Sequence, residues 1–102
     1  MMSERELVDY LILREIDPPV THAERERASE RSIAALDTVR DDGDAIEWVQ
    51  SEIMTNEDDM VTGTLCHFRA ETEETLHEHA DCAGLPVSQV YRRGEHVAGP
   101  DG

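Results

Sequence analysis

Toward its C-terminal end the chain gathers side chains that bind metals or carry protons. His77, Glu78, His79, Asp81 and Cys82 fall in one short run, with Cys66 upstream. Neutral imidazole suits nickel, copper and zinc, and a histidine near its unperturbed pKa also works as an acid or base. His79 lies at the edge of an apolar helical stripe of Leu76, Ala80 and Ala83, so it is expected to be partly buried and to face the sheet. Two readings follow: a ligand or proton carrier, or a boundary histidine bonded to backbone. Cys66 is a candidate thiol ligand, or a small core hydrophobe. Arg69, three residues along, would favour its thiolate if the two lie close.

Glu73, His77 and Asp81 recur at four-residue spacing and share one helix face. Helix-borne ligands at this spacing can grip a metal, although the face points away from the apolar stripe and reads as solvated. It offers weak surface binding of nickel or cobalt. Glu78 and Cys82 form a similar, weaker pair. Cys66 and His67 alternate along a strand, so these neighbours cannot converge on one ion. His22 and His96 read as solvated. The chain has no Ser-His-Asp nucleophile motif and no glycine-rich phosphate loop.

The charge narrows the classes further. The chain has 102 residues, 24 of them acidic and 9 basic, for a net charge of -15. That excludes the positive footprint that nucleic acids and anionic membranes require. Every basic residue is arginine, and the acids are dispersed rather than gathered in a tail. A dispersed acidic shell repels itself in dilute salt and is screened in concentrated salt. This is the expected surface of a cytoplasmic protein from a salt-loving cell; the functional alternative is a surface that collects cations. Two cysteines make no disulfide scaffold, so free thiols are expected.

The elements that must position these residues are legible in outline. Residues 1–6 read as a disordered N-terminus, 7–95 as one domain and 96–102 as a flexible tail. Leu7 to Ile16 reads as a buried strand stopped by Asp17-Pro18-Pro19. Thr21 with Glu24 forms a capping box, and a helix is expected from about His22 to Val39. Ala45 to Met54 reads as a second strand, with Ile46 and Trp48 on one side and Ala45, Val49 and Ile53 on the other. A turn at Asn56-Glu57-Asp58-Asp59 leads to a third strand, Met60 to Arg69. There Thr62, Thr64, Cys66 and Phe68 oppose Val61, Gly63, Leu65 and His67. Thr72 caps a second helix that ends at Gly84, and Val87 to Arg93 is a short last strand.

The order β-α-β-β-α-β is that of a ferredoxin-like α+β sandwich: a four-stranded antiparallel sheet with two helices on one face. The first three strands carry apolar residues on both sides. A homodimer that covers the helix-free face is therefore expected.

Three segments carry a resemblance: Ser51-Glu52-Ile53-Met54-Thr55-Asn56-Glu57, Thr64-Leu65-Cys66-His67-Phe68-Arg69-Ala70, and Leu76-His77-Glu78-His79-Ala80-Asp81-Cys82-Ala83-Gly84-Leu85-Pro86. They resemble a small domain-of-unknown-function family that includes a nickel-binding protein. Its members show a Ser-x-x-Thr-x-Asp-like turn, a Cys-x-aromatic-x-Ala strand end and a Glu-His-Ala-x-x-Ala-Gly-apolar-Pro helix end. The last of these is the specific part. Arg69 stands where the family usually has an acid, and Glu71 where it usually has a proline. The resemblance implies a ferredoxin-like fold, a homodimer and binding of nickel or another divalent transition metal, and it carries over Cys66, Glu78 and His79. His79, Cys66 and Glu78 are then the first-line metal ligands, with His77 and Asp81 in reserve. The competing readings are a small-molecule-binding or enzyme-like domain that uses His79, and a metal-free interaction module in which His79 ties the helix to the sheet.

Overall fold

The computed structural model describes residues 6–102. Its elements are β1 (Val8–Val20), α1 (His22–Asp41), β2 (Ile46–Thr55), β3 (Val61–Ala70), α2 (Glu73–Ala83) and β4 (Gln89–Arg92). The sheet order is β2-β3-β1-β4 with every neighbour antiparallel. This is the ferredoxin-like arrangement, with each helix connecting strands that are not sheet neighbours. The expected disorder of residues 1–6 falls, apart from Glu6, outside the described residues.

Local chemistry sets the helix ends. Thr21 Oγ1 accepts from Glu24 N at 3.1 Å, and Glu24 Oε2 accepts from Thr21 N at 3.0 Å, which completes the capping box. Thr72 Oγ1 accepts from Thr75 N to start α2. Gly84 ends it at φ 68°, where Leu85 N donates to Ala80 O at 2.9 Å. A side chain at that φ would crowd its own backbone, which is why the position suits glycine.

The core lies between the helices and one sheet face. Tyr10 and Ile12 of β1, Ile46 of β2, Cys66 and Phe68 of β3, Leu36 and Val39 of α1 and Leu76 of α2 pack together. Trp48 stacks on Phe68 with centroids 6.0 Å apart and planes 4° apart.

Two strands depart from simple alternation. The prolines do not stop β1: it continues through Asp17-Pro18-Pro19, with Asp17-Pro18 cis, and Val20 pairs with Val61. Glu15 pairs with Gly63, so the segment between Glu15 and Val20 bows out of register. The prolines, which lack the ladder donor, are tolerated in that irregular stretch. In β2 the register shifts between Trp48 and Gln50, leaving Val49 as the extra residue of a bulge. Trp48 pairs with Phe68, Ser51 with Cys66 and Ile53 with Thr64. Ile53 therefore points to the same side as Ile46 and Trp48, opposite to the side that strict alternation predicts.

The helix-free face carries half-buried Leu11, Leu13 and Leu65 beside His67. Segment 93–97 borders a groove there of about 300 Å³. No helix of the described residues is long and apolar enough to cross a membrane.

Candidate functional site

His79 sits on the inward side of α2 and is completely buried, not partly exposed as its position at the edge of the stripe predicts. It faces α1 as well as the sheet. Its Nε2 lies 3.0 Å from Ser32 O and 3.3 Å from Ser32 Oγ, and its ring lies 5.1 Å from that of Phe68 at 52°. A carbonyl can only accept, so Nε2 carries the proton and donates to Ser32. Nδ1 is then a buried lone pair with no hydrogen-bond partner among the described residues. Burial lowers the imidazole pKa, the Ser32 carbonyl opposes that, and the nearby Arg14 charge lowers it further. The ring is neutral at pH 7 and ties α2 to α1.

Cys66 is buried on the inward side of β3, and its thiol donates to Thr64 Oγ1 at 3.4 Å. The arginine beside it is Arg14 of β1, not Arg69. Arg69 points to the opposite sheet face, where it bridges Asp9 at 3.4 Å and Glu47 at 3.1 Å. Arg14 thus stands near both Cys66 and His79, and a fixed guanidinium repels any cation placed between them. Burying a metal cation against that charge is unfavourable on electrostatic grounds, although imidazole and thiolate are suitable donors.

The remaining candidates are spread over the outer surface of α2. Glu78 is exposed, and its carboxyl hydrogen-bonds to that of Asp44, which holds its pKa above the ordinary carboxylate range; burial adds less, and Asp44, Glu74 and Asp42 add through their charges. His77 Nε2 lies 3.1 Å from Glu73 Oε2 on an exposed face, and Asp81, one turn further along, is also exposed. Cys82 is an exposed free thiol. His79, Cys66, Glu78, His77 and Asp81 therefore do not converge. Among the described residues no group of three His, Cys, Asp or Glu side chains is placed to hold a metal ion.

Among the described residues there are two further imidazole–carboxylate pairs. His22 Nε2 lies 3.1 Å from Asp59 Oδ1 at the surface, and His67 Nε2 lies 2.7 Å from Asp9 Oδ1 on the helix-free face. Sequence spacing cannot show either, since their partners come from distant elements.

A cleft larger than the groove on the helix-free face lies elsewhere, between α1 and the inward face of the sheet, with a volume of about 640 Å³. Cys66 lines it and His79 does not. Arg14 lies on its floor, 4% exposed, with Nη1 donating to Pro86 O at 2.8 Å. The signal for this residue was present in the sequence. Arg14 occupies the inward phase of β1, two residues after Ile12 and four after Tyr10, where alternation calls for an apolar side chain.

A family model described as nickel responsive protein SCO4226-like matches residues 10–92. Among solved structures, the crystal structure of 30S ribosomal protein S6 from Thermotoga maritima is similar at 18% identity and a TM-score of 0.55. The match covers 86% of this chain and 89% of that one. At that identity the likeness bears on the fold alone. Among curated proteins none matches the chain. The family match spans both helices and most of all four strands, from Tyr10 to Arg92, and the chain belongs to the nickel-responsive SCO4226-like family.

Proposed function

We propose that this chain is a small protein that binds a divalent transition metal of the nickel type at its surface, with His77 and Glu73 as paired ligands. The observation that carries the reading is the 3.1 Å separation of His77 Nε2 and Glu73 Oε2 on an accessible helix face. Two ligand atoms each about 2.1 Å from an ion and at right angles to each other lie about 3 Å apart. The pair thus already has the bite of adjacent positions on a metal, and Asp81 extends the same face. The family's description supports nickel as the ion. His79 and Cys66 are the weaker candidates, because the His79 ring is enclosed and Arg14 stands near both. Glu78 is weaker because its carboxyl is hydrogen-bonded to that of Asp44 and faces the charges of Glu74 and Asp42.

The same reading includes a homodimer through the helix-free sheet face, where Leu11, Leu13 and Leu65 are half-buried. It places the protein in the cytoplasm of a salt-loving cell, on the strength of its acidic, lysine-free composition. It includes no nucleic-acid partner, because a net charge of -15 repels phosphate.

The test is a nickel titration of untagged protein in concentrated potassium chloride, with elemental analysis. Saturable binding that is lost in His77→Ala and kept in His79→Gln is the expected result. Binding that survives His77→Ala, or no binding at all, ends the reading. A second reading, small-molecule binding, is favoured by the cleft between α1 and the sheet.

A further inference from the structure

A buried arginine normally has a carboxylate partner, because an unpaired charge away from water is costly. Arg14 has none among the described residues. Its Nη1 is satisfied by the Pro86 carbonyl, while Nη2 is buried without a hydrogen-bond partner. Its guanidinium carbon lies 5.8 Å from the Phe68 ring centroid, which holds the group over an aromatic face. Burial lowers its pKa, yet a guanidinium stays charged near neutrality.

The surroundings repeat the pattern. Arg25, Arg27 and Arg31 of α1 line the same cleft, so four of the nine basic residues of a strongly acidic chain meet there. Arg25 Nε is also buried without a hydrogen-bond partner among the described residues. Its Nη1 donates to Ser29 Oγ and its Nη2 lies 3.8 Å from Glu26. Arg31 Nε donates to Ala83 O. The one acid on the lining is Glu24, and a carboxylate oxygen of it is engaged by the Thr21 amide in the capping box.

Between these polar groups much of the lining is apolar. Trp48 and Ile53 from β2, Phe68 from β3, Ile16 from β1 and Leu85 with Pro86 after α2 enclose the space. The bulge at Val49 returns Ser51 and Ile53 to the inward face, and the bowed stretch of β1 brings Ile16 and Val20 to the rim. Bulges re-aim side chains in this way beside binding sites. A volume of about 640 Å³ is in the range of small-molecule pockets.

We propose that the cleft between α1 and the sheet is a binding site for a small amphipathic monocarboxylate, with its carboxylate held by Arg14 and Arg25 and its apolar body against Trp48, Phe68 and Ile53. A single delocalised negative charge suits a planar guanidinium, and a largely apolar lining disfavours a strongly hydrated polyanion. The site stands apart from the His77–Glu73 pair and does not depend on metal binding.

The test is calorimetric titration of the full chain at fixed ionic strength with 1-naphthylacetate, its neutral amide and inorganic phosphate. One-to-one binding of the acid, at least tenfold tighter than the amide, is expected. Arg14→Met should weaken it tenfold or more, and Ala28→Trp, which fills the cleft from α1, should abolish it. If Arg14→Met fails to fold, Arg25→Gln makes the same charge test from the helix side, with a severalfold loss expected. No saturable binding of the acid, equal affinity for the amide, displacement of the acid by millimolar phosphate, or binding undiminished in Ala28→Trp would each overturn the proposal.

Discussion

The burial of His79 sets a definite pH dependence of stability. The imidazole is neutral in the fold and its pKa lies below the ordinary value, chiefly because burial disfavours its charged form. In the unfolded chain it titrates near pH 6.5. As pH falls through that value, the unfolded chain takes up a proton that the folded chain does not. The stabilising effect of keeping His79 neutral is therefore complete above about pH 6.5 and is lost progressively below it. One proton gives a slope of at most about 1.4 kcal/mol per pH unit, so the loss at pH 5.5 is bounded near 1.4 kcal/mol. The comparison chain is His79→Gln. Its amide nitrogen can still donate to Ser32 O, and it does not titrate. It forfeits the ring packed on Phe68, which costs about 1–2 kcal/mol at pH 7.5.

The assay is urea unfolding of both chains at pH 7.5, 6.5 and 5.5 in fixed potassium chloride. His22, His67, His77 and His96 are common to both and cancel. The wild-type advantage should narrow below pH 6.5. An advantage that stays constant with pH means that His79 titrates alike in both states. One that widens means that His79 is protonated in the fold, and either result refutes the assignment of a neutral, helix-tying ring.

Three further outcomes are expected. Gly63→Ala places a Cβ 2.8 Å from the Arg14 carbonyl oxygen and 2.8 Å from Met54 Cε, so denaturant unfolding should show a loss of about 1–3 kcal/mol. Adding Met54→Ala should not restore it, because the backbone oxygen remains. Gly84→Ala meets no neighbour but must hold φ 68°, which should cost about 1–2 kcal/mol and lower the Tm; an unchanged Tm would show that α2 ends without its left-handed cap. With a net charge of -15, the Tm should rise steadily as potassium chloride is raised from dilute to molar, and a flat response would remove self-repulsion as a factor in stability.

The capping box at Thr21–Glu24, the glycine stop at Gly84 and the β-α-β-β-α-β order were legible in the sequence, because each depends on residues a few positions apart. The division of β3 into two faces was legible for the same reason, since Thr64, Cys66 and Phe68 alternate as a simple strand should, while which face lies inward was decided by the packing. What failed locally failed at bulges. One extra residue at Val49 reverses the side on which Ile53 lies, and no property of Val49 in isolation announces it. The prolines of β1 predict a stop, yet the strand resumes where Val20 pairs with Val61.

The candidate site divides along the same line. Sequence spacing correctly brought Glu73 and His77 onto one helix face, since four residues on a helix fix their separation. Whether His79 would be open or sealed depended on Ser32 of α1 and Phe68 of β3, which meet it only through packing. The partner of Cys66 depended on pairing across β1 and β3, which sets Ile12 opposite Cys66 and carries Arg14 to the same inward side, while Arg69 turns away. Local composition thus determined the elements, their ends and the acidic surface. Only the tertiary structure decided that the arginine of the first strand, the bulged edge of the second and the start of α1 enclose one cleft, because burial and charge pairing are properties of contacts between distant segments.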